Sequence, residues 1–257
     1  MTNPRNIWVN CPCPNPEARL RLFCFPYAGG GASIFRTWAA QLSPEIEVCP
    51  VQLPGRENRF NHLPFRQLTC LIQTLLPALL PEFDRPFAFF GHSLGGLISF
   101  ELARQLQRQN FSQQPLQLFV SACRAPQLPP IDQPIHQLPE PELIQALHQY
   151  NGTPEVLLQD AEMMALMLPM LRADFSLSET YSYVPLSPLH CPISAFGGLQ
   201  DKYVSWEDLA GWSSQTFGNF TQRMFQGNHF FLKPKQEELL QAISQDLTRP
   251  LNLAFTA

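Results

Sequence analysis

Residues 87–96 read Phe-Ala-Phe-Phe-Gly-His-Ser-Leu-Gly-Gly, and this stretch decides the fold. Phe87 to Phe90 form an apolar run of strand length, and Leu97, Ile98, Leu102 and Leu106 then recur at helical spacing. Between them lies Gly91-His92-Ser93-Leu94-Gly95, the G-x-S-x-G spacing of a tight strand-to-helix turn. A serine there is forced into an unfavourable backbone conformation, and the flanking positions must lack Cβ atoms. The turn lifts the Ser93 hydroxyl clear of the strand and sets the next backbone N–H groups at a helix N-terminus, where negative charge is favoured. A glycine-rich turn that merely caps a helix has the same bare spacing. The strand before and the helix after favour a nucleophilic serine.

Outward from this turn the chain alternates. Leu20 to Phe25, Ile46 to Val51, Leu116 to Val120, Ile193 to Phe196 and Arg223 to Phe225 read as further strands. Leu68, Leu71, Ile72, Leu75, Leu76, Leu79 and Leu80 make one helical stripe, and Leu239, Leu240, Ile243 and Leu247 another. Strands alternating with helices predict an α/β protein with a mainly parallel central sheet flanked by helices. With the serine turn, that is the α/β-hydrolase fold. Residues 126–184 break the alternation: prolines open the stretch, and a helix follows around Glu142 to His148. A second helix is signalled by Thr153 as N-cap and Pro154 at its first position. Met163, Met167 and Met170 would share one helical face. Such an insertion reads as a helical lid within a single domain spanning residues 1–257.

Composition narrows the function classes. The net charge is −4, which argues against a nucleic-acid binder, since that needs a basic surface. Residues 1–10 do not read as a signal peptide, and Leu75 to Leu80 is too short to span a bilayer, so a cytoplasmic protein without membrane association is expected. The seven cysteines are scattered, and Cys11-Pro12-Cys13 has no second pair at metal-ligand spacing; reduced thiols and no metal are expected.

Serine needs a base, and the base needs a carboxylate to orient it, in this fold in the chain order Ser, acid, His. Two histidines follow the insertion. His190 stands before Cys191-Pro192 at a strand start and looks structural; His229 lies in a glycine-containing loop after the last strand and is the preferred base. Asp201, just beyond the strand ending at Phe196, is the preferred acid, ahead of Asp132 and Asp174 in the insertion. The turn Pro26-Tyr27-Ala28-Gly29-Gly30-Gly31 follows an early strand, where this fold builds half of its oxyanion hole from backbone N–H groups. Ala28 N–H would then act beside Leu94 N–H. A phosphate cradle is the weaker reading, because the lysine and glycine spacing of nucleotide loops are absent.

These stretches together resemble the type II thioesterases that accompany nonribosomal peptide and polyketide synthases. The likeness runs through Leu22 to Gly31, Gln52-Leu53-Pro54-Gly55-Arg56, the serine turn and Leu171-Arg172-Ala173-Asp174-Phe175. It continues through Gly197 to Asp201 and Gly227 to Phe230, covering about residues 18–245. The resemblance implies a triad of Ser93, Asp201 and His229 with an oxyanion hole from Ala28 and Leu94. It implies substrates held as thioesters on the phosphopantetheine arm of acyl or peptidyl carrier domains; a monomer with no cofactor of its own is expected. A carboxylesterase or lipase acting on free esters would carry the same triad. A catalytically dead acyl-binding protein would show an incomplete one.

Overall fold

The computed structural model describes residues 6–129, 134–150, 152 and 155–254, with side chains described to residue 248. Six strands form one sheet: β1 (Leu20–Phe25), β2 (Ile46–Pro50), β3 (Phe87–His92), β4 (Leu118–Ser121), β5 (Ile193–Gly198) and β6 (Phe220–Phe225). Their spatial order is β2-β1-β3-β4-β5-β6, and every neighbouring pair is parallel. The order reverses between β1 and β3. Connections leave these two strands in opposite directions, opening a crevice at their carboxyl ends, where open α/β sheets bind ligands.

Both faces of the sheet are buried, so the central strands are predominantly apolar. Alternate side chains still segregate. Phe23, Phe25, Phe87 and Phe89 enter one core with α1 (Leu68–Leu79) and α2 (Leu94–Arg108). Leu22, Cys24, Ala88 and Phe90 enter the other with Leu239, Ile243 and Leu247 of α7 (Gln236–Ala254). A short α6 (Trp206–Ala210) follows β5, its Ser205–Asp208 capping box closing the first turn.

The insertion between β4 and β5 carries three helices: α3 (Glu140–Tyr150), α4 (Glu155–Leu158) and α5 (Ala161–Glu179). They form a separate apolar cluster around Leu143, Leu147, Leu158, Met164, Leu168 and Leu171. Thr153 and Pro154 lie outside the described residues, as does Asp132. α5 is capped by Asp160, whose carboxylate accepts the Met163 N–H (3.0 Å). Of the expected methionine face, Met170 is buried in this cluster and Met167 packs against it, whereas Met163 is exposed and Met164, with Leu168 and Leu171, takes the inward place. Residues 163–171 are apolar at nearly every position, so several faces satisfy helical periodicity. Contact with α3 and α4 selects among them.

Candidate active site

Ser93 sits where β3 ends and α2 begins, with φ 53° and ψ −118°, the strained conformation expected of the turn. Two bonds hold it: its N–H donates to the Ser121 carbonyl at the end of β4 (2.7 Å), and its carbonyl accepts from Gly96 N–H (2.9 Å). The flanking glycines are a steric requirement. A Cβ on Gly91 would lie 2.0 Å from the Gly95 carbonyl oxygen, and one on Gly95 would lie 2.1 Å from that of Phe25. The second contact brings the chain leaving β1 directly against the first turn of α2.

That chain makes a tight turn. Gly30 N–H donates to the Tyr27 carbonyl (2.9 Å), and Gly29 has φ +80° at the third position, which a type II turn reserves for glycine. Ala28 occupies the second position. Leu94 is the first residue of α2, so its N–H has no intrahelical acceptor to satisfy it. Both amides proposed from the sequence therefore belong to segments that meet at Gly95.

His229 and Asp201 converge on Ser93. His229 Nε2 lies 3.0 Å from Ser93 Oγ, and its Nδ1 lies 2.8 Å from Asp201 Oδ2. An ionised carboxylate only accepts, so Nδ1 carries the proton and Nε2 keeps a lone pair facing the serine hydroxyl. Asp201 is itself pinned by N–H donations from Tyr203 (2.8 Å) and Val204 (3.3 Å) to Oδ1. Both side chains are buried, which strengthens the charge–dipole interactions along the chain of three. His190 lies elsewhere, its ring facing Phe217 at 5.8 Å and its N–H bonded to Gln107.

Several groups around the three were not foreseen. His92, within the serine turn, is fully buried and spans from Ser121 Oγ (2.9 Å) to the backbone carbonyl of His229 (2.9 Å). The carbonyl can only accept, so Nε2 donates to it and Nδ1 accepts from the Ser121 hydroxyl. Burial pushes the His92 pKa well below the usual histidine value, and the nearby His229 adds to the shift; His92 is a neutral strut under the His229 loop. Tyr150 at the end of α3 stacks on Tyr203 (4.2 Å between ring centroids), and both rings stand edge-on to the His229 imidazole. The insertion thus lies over the histidine.

The second unforeseen group is a buried ion pair. Arg56 grips Asp174 of α5 with two parallel bonds (2.6 and 2.7 Å), the fork geometry peculiar to arginine. Asp174 Oδ2 also accepts the Gly29 N–H (2.8 Å), while Arg56 donates to the Gly30 carbonyl (3.0 Å) and to that of Pro54. Gln52 completes the brace, accepting Ala32 N–H (2.8 Å) and donating to the Arg56 carbonyl (3.2 Å). The turn that contains Ala28 is therefore held from both sides of its carbonyl–amide surface. Arg56 and Asp174 both lie within stretches that carry the family likeness, and that was the available signal. Their 118-residue separation concealed the pairing.

A strained serine at a strand-to-helix turn, backed by a buried histidine and aspartate at the carboxyl edge of a parallel sheet, defines an α/β-hydrolase. The chain belongs to the thioesterase family: the family model described as "Thioesterase domain" matches residues 20–247. It is 47% identical over 242 residues to the gramicidin S biosynthesis protein GrsT of Aneurinibacillus migulanus, covering 94% of each chain. It is 37% identical to the thioesterase PikA5 of Streptomyces venezuelae, over 94% of this chain and 85% of that one. Among solved structures, the type II thioesterase BorB from the borrelidin biosynthetic cluster superposes with a TM-score of 0.84 at 36% identity, covering 93% of this chain and 97% of that one. The resemblance to type II thioesterases read from the sequence is borne out, as is the α/β-hydrolase fold. Among the described residues no helix is long and apolar enough to cross a membrane.

Proposed function

We propose that this thioesterase hydrolyses acyl groups from the phosphopantetheine arms of acyl or peptidyl carrier domains, through an acyl-enzyme on Ser93. The observation that carries the reading is the hydrogen-bonded sequence Ser93–His229–Asp201, with 3.0 and 2.8 Å links, within a chain of the thioesterase family. The kinship with proteins of peptide and polyketide biosynthesis supports the carrier-bound substrate.

In this scheme His229 Nε2 takes the Ser93 proton as Oγ attacks the thioester carbonyl, and Asp201 steadies the imidazolium that forms. Charge gathering on the carbonyl oxygen is met by the N–H groups of Ala28 and Leu94, each worth on the order of 3 kcal/mol in the transition state. His229 then gives that proton to the departing pantetheine thiolate, which leaves as the thiol. Water, activated by the same imidazole, hydrolyses the acyl-serine ester and releases the free acid. The enzyme acts as a monomer and needs no cofactor of its own. The insertion serves as the lid, with Tyr150 and Tyr203 shielding the imidazole from solvent.

The test compares acyl-loaded carrier with a matched free ester. The wild-type protein should show the higher kcat/KM on the carrier, and Ser93→Ala should abolish acid release while still binding the carrier. A preference for the free ester would assign the site to a carboxylesterase, and normal turnover by Ser93→Ala would remove the acyl-enzyme altogether.

A further inference from the structure

The edge of the sheet at β2 is covered by the segment before β1. Val9 forms an antiparallel bridge with Val51, flanked by two hydrogen bonds, Gln52 N–H to the Trp8 carbonyl and Asn10 N–H to the Pro50 carbonyl (both 2.9 Å). In this register the paired residue numbers sum to a constant, so Val9 opposite Val51 and Asn10 opposite Pro50 put Cys11 opposite Cys49. Asn10 and Pro50 are a hydrogen-bonded pair, which makes the next pair a non-hydrogen-bonded one. There the side chains point to the same face and the Cα atoms come closest, about 4.5 Å apart. That spacing lies within the range a disulfide spans. The two sulfurs do meet, at 3.1 Å.

Access differs between the two. Cys11 is half-buried and Cys49 fully buried, and the Cys49 pKa is raised well above the usual thiol value by its hydrogen bond to Cys11 and by burial. Cys11 is the sulfur an external reagent reaches first. Cys13, the other cysteine of the N-terminal pair, is exposed and lies beyond this register.

We infer that Cys11 and Cys49 are an oxidisable pair that closes into a cross-strand disulfide on exposure to a small-molecule disulfide such as oxidised glutathione. The Cys11 thiolate attacks one glutathione sulfur, forming a mixed disulfide and expelling one glutathione thiolate, which takes up a proton. Cys49 then gives up its proton and attacks Cys11 Sγ, expelling the second glutathione. Two protein thiols are oxidised, one glutathione disulfide is reduced to two thiols, and no other reactant is needed. The bond would tie the edge-covering segment to β2. That segment carries Trp8, which stacks over the Arg59 guanidinium (3.9 Å), and Arg59 in turn donates to the Gln52 carbonyl (2.9 Å).

The experiment equilibrates the full chain with glutathione buffers of increasing oxidised fraction. Free thiols are then alkylated in acid, and the linkages are mapped by mass spectrometry with melting followed in parallel. The expected result is a Cys11–Cys49 linkage that persists in Cys13→Ser and vanishes in Cys11→Ser. Oxidised wild type should melt about 5 °C or more above oxidised Cys11→Ser, the two melting alike when reduced. Because Cys11 is only half-buried, its serine variant keeps the comparison meaningful even if Cys49→Ser fails to fold. Glutathione adducts without the internal bond would overturn the inference, as would a linkage through Cys13 or equal melting of the two oxidised proteins.

Discussion

Removing the Asp174 carboxylate should disarm the enzyme from outside the triad. In Asp174→Ala the Gly29 N–H loses its acceptor, and the Arg56 guanidinium stays buried without a counter-charge. Breaking a buried pair by removing one partner destabilises by about 3–5 kcal/mol, within the roughly 5–15 kcal/mol available to a folded domain, so folded protein should remain. The catalytic cost has a ceiling: losing one oxyanion donor outright lowers kcat by about 10²–10³. Asp174 steadies the turn that holds Ala28 and does not itself replace the donor, so a fall of about 10- to 100-fold is expected, equivalent to roughly 1.4–2.7 kcal/mol. It should appear in kcat, with KM on acyl-carrier nearly constant, because the oxyanion exists only after attack. Asp174→Asn, which keeps an acceptor for Gly29, should retain more activity than the alanine variant. The double variant Arg56→Met with Asp174→Leu separates stability from positioning. An apolar pair of similar volume should recover much of the stability in urea unfolding, while kcat stays low. Wild-type kcat in a folded Asp174→Ala protein would refute the reasoning, since the turn would then hold its shape unaided.

Further perturbations test the neighbouring links. Asp201→Asn should keep the fold and lower kcat by about 10⁴, because the amide no longer selects the Nδ1–H tautomer of His229; steady-state hydrolysis of acyl-carrier measures this. His92 is held neutral by burial, so the folded state resists a proton that the unfolded chain accepts. Stability should therefore be intact above about pH 6.5 and decline as pH falls below it, until the depressed folded value is reached. His92→Gln should flatten that slope in urea melts compared between pH 7.5 and 5, though at lower stability throughout. Gly95→Ala would force a methyl group to 2.1 Å from the Phe25 carbonyl oxygen and 2.8 Å from that of Pro26, both backbone atoms. That variant should fail to accumulate as soluble protein, whereas Ser93→Ala should express normally.

The reading from the chain alone reached far because the decisive features are local. A strand, a G-x-S-x-G turn and a helix stripe occur within about twenty consecutive residues, and the steric demand for glycine at positions 91 and 95 is written in the residue types themselves. The strands were placed within a few residues. β6 starts at Phe220 where Arg223 was expected, because Phe220 to Met224 are only half-buried at the sheet edge and show no clean apolar pattern. Asp201 and His229 were legible as chemistry-bearing residues in loops just beyond strands, in the order this fold imposes.

What the chain could not disclose depends on distance in space between residues remote in number. Whether Met163 or Met164 faces inward was settled by α3 and α4, since helical periodicity permits several faces on an all-apolar stretch. Asp174 could be weighed as a triad acid from its residue type. Only the packing of α5 against the turns leaving β1 and β2 gave it Gly29 and Arg56 as partners instead. Likewise nothing about His92 in the sequence marks it as the strut beneath the His229 loop, a contact that exists because β3, β4 and the loop after β6 converge at one end of the sheet. The order of residues determined the fold and the candidates for nucleophile, base and acid, through sterics and periodicity acting over a few positions. Tertiary structure decided which carboxylate serves which neighbour, because hydrogen bonds and buried charges are satisfied by proximity in three dimensions.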